Sequence, residues 1–450
     1  MRYARIAVAA LAALALYISP LAAQDAQTGQ ADQAGPTISE KKDLAIFAMG
    51  FYGFNIPYQA LGSTDQAIRK VFVDLGRFNI ISVSQKLSSK GLDAFIDAIK
   101  KSKQANFKMP DKYEFGEAIL TEEEFNKLLG AFIVAVPVVS EYNTAFNDAT
   151  NAWETNLKVD VSFIDVSQGS IIGVAEVKAF GSDPSNNQKS VSAAIDQIPM
   201  QLQYEIRKIE AFQISTRVLA VSGSEIKLQM GRNMGIKKGD EYSIVVHETV
   251  EGFKNDTEHG LVQIKDVGSE VSTGRIVYAS IPVTKDVQLQ EIPRLGVDAE
   301  GYFHYLTLLG GNVPVPGVRF AASRGFYGFR PYAAVQVPLG DITPNWGFFS
   351  VIPISVIVGG EYNAYLRRLT LTAFGGVGGT YAHLLNSGED STSDWLSHLG
   401  AQGYVRASFL FTRELSVFAE AGAEYWISAY SDIFDSFGGV GIGGGVQYKL

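Results

Sequence analysis

In the last third of this chain nine charged side chains recur on one parity of strand-like runs: Asp298, Glu300, Arg319, Arg330, Glu361, Arg406, Glu420, Glu424 and Lys449. Residues two apart share a face of a strand, so these carboxylates and cations are expected to meet across one enclosed space. The chemistry open to them is charge pairing. Arginine offers a planar fork to a carboxylate, and an unpaired charge in a narrow interior is costly. A three-residue turn at Thr412-Arg413-Glu414 would set Phe411 opposite Leu415, and therefore Arg406 opposite Glu420. Closing the strands into a ring would bring Lys449 near Asp298.

Other chemistry is not written in the sequence. Gly439-Val440-Gly441-Ile442-Gly443-Gly444 matches a dinucleotide-type glycine pattern, but the chain leaves no room for the helix that must follow. The histidines His247, His259, His304, His383 and His398 show no metal-ligand spacing. There is no nucleophile elbow, phosphate loop or zincin helix. Glu122-Glu123-Glu124 reads as a helix amino terminus complementing its dipole. The expectation is a protein that is not an enzyme and needs no cofactor or metal.

The elements that must position the charges are eight strand-like runs near 297–308, 315–324, 329–339, 349–362, 367–384, 396–411, 414–427 and 437–450. Each is long enough to cross a bilayer at a tilt, which takes about 9–11 residues. Apolar residues occupy the parity opposite the charges. Leu399, Ala401, Val405, Ala407, Phe409 and Phe411 share one face, as do Leu415, Val417, Ala419, Ala421, Ala423, Tyr425 and Ile427, and then Val440, Ile442, Val446, Tyr448 and Leu450. Connections alternate between short (325–328, 363–366, 412–413) and longer polar (340–348, 385–395, 428–436), although the first is brief. Trp346, Trp395 and Trp426 stand near strand ends. The pattern predicts an eight-stranded antiparallel transmembrane β-barrel at 295–450, eight strands leaving an interior just wide enough for side chains.

The segment resembles the OmpA-type outer-membrane barrels in architecture. Its ending, with Gly443, Val446, Tyr448 and Leu450, resembles the carboxyl-terminal signal read during barrel insertion, which implies barrel-assembly machinery and outer-membrane lipid as partners. A final Leu450 stands where such signals usually carry an aromatic residue.

The 450-residue chain carries 45 Gly, 27 Phe, 20 Tyr, no Cys and a net charge of −9. The acidic balance argues against nucleic acid. The absence of cysteine argues against disulfides, thiolate metal sites and a lipidated cysteine. Arg2 and Arg5, the apolar run from Ile6 to Ile18 and the small residues Ala22-Ala23 predict a signal peptide over 1–23. A polar leader over 24–42 follows.

Residues 43–211 mix strands and helices and predict a periplasmic α/β or α+β domain. Its first long helix is expected near Ser63-Thr64-Asp65, capped by those short polar side chains. The run Leu44 to Met49, the stretch from Asp65 to Val83 with Gly76-Arg77-Phe78-Asn79-Ile80-Ile81, and the hairpin from Leu157 to Val177 resemble the periplasmic domains of the CsgG, TolB and LpoB families. Unlike the CsgG secretion channel, this chain has no lipidated cysteine. Residues 212–294 alternate as a small all-β domain. Gly235-Ile236-Lys237-Lys238-Gly239-Asp240 resembles a turn in the FlgT carboxyl-terminal domain, and an ordinary SH3-like spacer fits equally. The join near Pro293 is expected to bury little.

The function expected from this arrangement is structural or assembly work: an outer-membrane anchor presenting periplasmic domains to a protein or peptidoglycan-linked partner. A small pore or secretion-channel component, and a surface adhesin, are the alternatives.

Overall fold

Among the described residues three main sheets follow one another along the chain. The computed structural model describes residues 38–450 except 52–54, 88, 105–109, 116–117, 251–252, 309–310, 340–350, 385–394 and 430–435. The expected signal peptide and most of the leader lie outside the described residues. So do Trp346 and most of the polar loops at 386–394 and 428–436.

The first sheet contains β1 (Lys42–Ala48), β2 (Gly50–Phe51), β3 (Phe78–Lys86), β6 (Ile133–Asn147), β7 (Ala152–Asp165) and β8 (Ser170–Asp183); β4 (Lys112–Phe115) and β5 (Ala118–Thr121) form a separate hairpin. Strand β1 lies between β3 and β6, parallel to both, and β6, β7 and β8 continue antiparallel. Its Leu44-Ala45-Ile46-Phe47 run is buried throughout because the sheet is covered on both faces. Helices Tyr58–Leu75 and Asn187–Lys208 supply one apolar layer; helices Ser89–Ser102 and Glu122–Leu129 and the β4–β5 hairpin supply the other.

The first long helix starts at Tyr58, directly after Pro57, and not near Ser63. Thr64 is inside it and donates to Ala60 O at 2.8 Å, the back-bonding open to a short hydroxyl within a helix. The acidic helix begins as expected, with a capping box between Thr121 and Glu124.

The second sheet closes as a six-stranded barrel from β9 (Ser215–Ser222), β10 (Glu225–Leu228), β11 (Glu241–Val250), β12 (Phe253–Val267), β13 (Ser272–Ala279) and β14 (Gln288–Ile292). Strand β14, absent from the sequence reading, pairs with both β11 and β9 and completes the ring. Residues Pro36–Val246 and Asp256–Leu450 form one compact unit, and His247–Asn255, where β11 ends and β12 begins, belongs to a second.

The third sheet is a closed eight-stranded antiparallel barrel of β15 (Val297–Leu308), β16 (Gly311–Ala322), β17 (Phe329–Gln336), β18 (Val351–Leu366), β19 (Leu369–Leu384), β20 (Trp395–Leu410), β21 (Leu415–Ser428) and β22 (Phe437–Lys449), with β22 pairing back onto β15. The expected connection at 363–366 is in fact strand. Asn363 and Thr372 bond at 2.5 Å inside the ring, so the ladder runs on to a tight turn at Arg367-Arg368, where Arg367 takes φ 57°. Among the described residues no helix is long and apolar enough to cross a membrane.

Candidate functional site

The lumen of the eight-stranded barrel is filled by side chains from all around the ring. Arg406 stands opposite Glu420 in the β20–β21 register. Its Nε donates to Glu420 Oε2 at 2.7 Å and its Nη1 to Glu300 Oε1 at 2.8 Å. Arg319 Nη1 donates to the other Glu300 oxygen at 2.9 Å and lies 3.8 Å from Glu420. Its guanidinium stacks over Phe374 at 4.2 Å and Tyr302 at 4.7 Å, while Arg406 stacks over Phe418 at 4.0 Å. Two guanidiniums and two carboxylates thus make a closed square bedded on aromatic faces, which weakly hydrated arginine tolerates better than lysine would.

Above the square, His304 Nε2 is 2.5 Å from Glu420 Oε1, and its Nδ1 is 3.5 Å from Glu424. Glu424 also accepts from Tyr404, Gln336 and Trp426 at 2.7–2.9 Å. Below it, Arg330 Nη2 donates to Asp298 at 2.5 Å and its Nε lies 3.4 Å from Glu361. Outside, the opposite parity is apolar and exposed: Val405 is 63% and Val440 64% accessible. The strand period alone sorts one sequence into a charged inside and an apolar outside.

A second charged cluster lies where the three sheets meet, so the join near Pro293 is not bare. Arg77 beside β3, Arg207 at the end of the Asn187–Lys208 helix and Glu291 on β14 are all buried. Arg77 Nη1 and Nη2 donate to the two Glu291 oxygens at 2.7 and 3.1 Å, and Arg207 Nε donates to Oε1 at 2.6 Å. The backbone N–H of Ile214 completes the carboxylate's shell at 3.1 Å. Burial alone would push the Glu291 carboxyl up, but Arg207 and Arg77 outweigh it and hold the group well below the usual carboxylate range.

The cluster continues to the large barrel. Asp240 lies 3.6 Å from Arg207 Nη2 and accepts from Arg324 Nε, in the β16–β17 turn, at 2.9 Å. Arg324 also donates to Gln203 on the helix at 2.8 Å. Glu241 takes both Arg294 Nε, at 3.1 Å, and Lys449 Nζ, at 2.5 Å. Two glycines let backbones touch here. A Cβ on Gly235 would lie 1.9 Å from Leu75 O, and one on Gly239 would lie 2.1 Å from Phe326 O. Both have positive φ, 74° and 81°, the region that favours glycine. Between the two barrels lies a cavity of about 60 Å³ lined in part by Arg324, Arg330, Asp298 and Glu361.

Of the residues singled out from the sequence, Asp298, Glu300, Arg319, Arg330, Glu361, Arg406, Glu420 and Glu424 are buried inside the ring. Lys449 differs. It does sit opposite Asp298 in the β15–β22 register, but its ammonium reaches out of the barrel to Glu241, while Asp298 is taken by Arg330 and Gln447. Gly443 is inside β22, and Val446, Tyr448 and Leu450 are exposed on its outer face. The Gly439–Gly444 pattern is strand throughout. Among the described residues no group of three or more His, Cys, Asp or Glu could hold a metal.

The junction residues Arg77, Arg207, Asp240, Arg324 and Glu291 were missed. Glu291 carried one signal, since it shares the inward parity of the buried Leu289; a charge on an apolar face asks for a partner.

The fold and its charged interior define a class: a closed eight-stranded barrel, apolar outside and packed with ion pairs inside, locked to a six-stranded barrel and a small α/β layer. No family model matches the chain, and no curated protein matches it. Among solved structures, Neisserial surface protein A is 14% identical over 34% of this chain and 96% of its own, with a TM-score of 0.25. A major outer membrane protein from Thermus thermophilus is 12% identical over 34% and 99%, TM-score 0.21. The PelC dodecamer from Paraburkholderia phytofirmans is 15% identical over 38% and 94%, TM-score 0.23. These are partial likenesses, and the barrel stands on its own strand pairing.

Proposed function

We propose that this chain is an outer-membrane anchor whose barrel holds a rigid periplasmic module, the α/β layer and the six-stranded barrel, ready for a structural or assembly partner. The observation that carries the reading is the inversion of the large barrel. Its buried ion pairs are inside, and most of its valines, isoleucines and leucines face outward around the ring, Leu306, Val315, Ile357 and Leu410 being the buried exceptions. A water-soluble protein rarely exposes a contiguous apolar patch beyond roughly 300–600 Å², whereas a lipid-facing barrel requires one.

Both ends of the barrel segment meet the six-stranded barrel at one rim, so the polar module lies on one side of the membrane. With an exported amino terminus that side is the periplasm. The same residues argue against an open pore: Glu300, Arg319, Arg406 and Glu420 close the lumen by direct contacts of 2.7–2.9 Å. The junction argues against a loose tether, because breaking buried pairs costs about 3–5 kcal/mol.

The resemblance of the α/β layer to CsgG, TolB and LpoB domains, and of the Gly235–Asp240 turn to FlgT, points to an envelope-complex or peptidoglycan-linked partner. The test combines fractionation of the envelope, planar-bilayer recording of the purified chain and in-cell crosslinking from the polar module. Recovery with outer membranes, no steady current and crosslinks to a periplasmic protein are expected. A chain that stays in the soluble fraction refutes the anchor, and a sustained current refutes the closed lumen in favour of a pore.

A further inference from the structure

We infer that an open cleft beside the barrel's module-facing rim seats the headgroup of a phospholipid carrying both a phosphodiester and a primary ammonium. The inference rests on the membrane reading and deepens it. The cleft holds about 760 Å³, within the roughly 300–1,000 Å³ of small-molecule sites. The last turn of the Asn187–Lys208 helix, the end of β14, and the adjacent ends of β21 and β22 converge on it.

Its lip and its wall differ in chemistry. Leu295, Tyr448 and Leu450 form an apolar lip. Tyr448 and Leu450 share the outward parity of Val446, Ile442 and Val440, all exposed, so the lip is continuous with the lipid-facing band. Lys208, Arg413, Glu258 and Glu414 also line the cleft. Lys208 ion-pairs with Glu205 at 3.0 Å and lies 5.2 Å over the Tyr204 ring. Arg413 pairs with Glu258 at 2.5 Å and with Glu414, and the Arg413 and Glu258 side chains remain 39% and 49% accessible. Exposed pairs of this kind contribute little to folding, so exchanging them for a ligand loses little.

Two accessible cations beside the accessible Glu258 and the half-buried Glu414 match a ligand that carries both signs. The phosphodiester accepts from Arg413 and Lys208, the ammonium donates to Glu258 and Glu414, and the acyl chains leave over the lip. Arg294, Lys449 and Glu291 line the cleft too but are engaged in the junction; a purely anionic headgroup that drew Arg413 away would leave Glu258 without its cation. A quaternary ammonium has no N–H to give them. A free soluble headgroup would leave the lip bare.

The experiment uses the full chain. It is floated with phosphatidylcholine vesicles containing phosphatidylethanolamine or phosphatidylglycerol, then released into detergent for native mass spectrometry. Co-flotation with one retained phosphatidylethanolamine per chain is expected. Retention should fall roughly fivefold in each of Arg413→Gln and Lys208→Gln, the weight of one basic residue at a lipid surface. Lys208 lies outside the barrel, so its variant reads the site even if Arg413→Gln folds poorly. Equal retention of the three lipids, unchanged retention in both variants, or displacement by soluble glycerophosphoethanolamine overturns the inference alone. Failure to co-float overturns the membrane reading and the inference together.

Discussion

Removing Arg406 tests whether the lumen is a dry ionic plug. The side chain is 2% accessible and its partner Glu420 is fully buried. Arg406→Ala deletes two charge-assisted hydrogen bonds, at 2.7 and 2.8 Å, and the stack on Phe418. Glu300 keeps Arg319, and Glu420 keeps His304 and a 3.8 Å approach to Arg319, so neither carboxylate is left wholly alone. Leaving a buried charge underpaired costs about 3–5 kcal/mol in a dry site, and the remaining partners put this one toward ~3 kcal/mol. Glu420→Ala should cost a similar amount. The Arg406→Ala, Glu420→Ala double variant should cost less than the sum, with a coupling of roughly 1–3 kcal/mol. Equilibrium urea unfolding of the refolded barrel in micelles measures all four corners, with planar-bilayer recording as a second readout. Coupling below about 0.5 kcal/mol, or single losses below ~1 kcal/mol, would mean that water enters the square, and the plug argument would fail.

Further outcomes concern the junction and the ring. Glu291→Gln should destabilise the polar module by roughly 3–5 kcal/mol by leaving Arg77 and Arg207 buried without their anion, read as a lower melting temperature of the full chain. The Glu291 carboxyl titrates below its unfolded value, so its contribution is complete above the ordinary glutamate range, near pH 4.3, and fades as pH falls toward the lower folded value. Wild-type stability should therefore drop on acidification more steeply than that of the variant; parallel acid limbs would contradict the assignment. Gly239→Ala forces a Cβ against Phe326 O and a side chain into φ 81°. Hydrogen exchange should rise in the 323–328 turn while the lumen stays protected, and unchanged exchange there would refute the close contact. Deleting 437–450 removes β22 and leaves the edges of β15 and β21 unpaired, which lipid does not tolerate. Equal recovery of the shortened chain in the membrane would count against closure.

What could be read from the sequence was whatever depends on the strand's period of two. The parity of Asp298, Glu300, Arg319, Arg330, Glu361, Arg406, Glu420 and Glu424 could be counted along the chain, and these side chains do share the lumen. The Arg406–Glu420 pairing could be read because a short turn propagates its register strictly along two antiparallel strands. Which carboxylate an arginine takes across the ring could not. Glu300 meets Arg319 along its own ladder but Arg406 only across the lumen, and that depends on closure, tilt and side-chain length. The fate of Lys449 needed the other barrel, since Glu241 lies 208 residues away in sequence and register alone placed Asp298 opposite. The junction was furthest from view. Arg77, Arg207, Asp240, Glu291 and Arg324 come from separate elements with no common period, and only the docking of three sheets makes them neighbours. Local sequence sets which face a side chain occupies; the tertiary structure decides which charge it meets there, because buried charges pair through space over separations that no local pattern encodes.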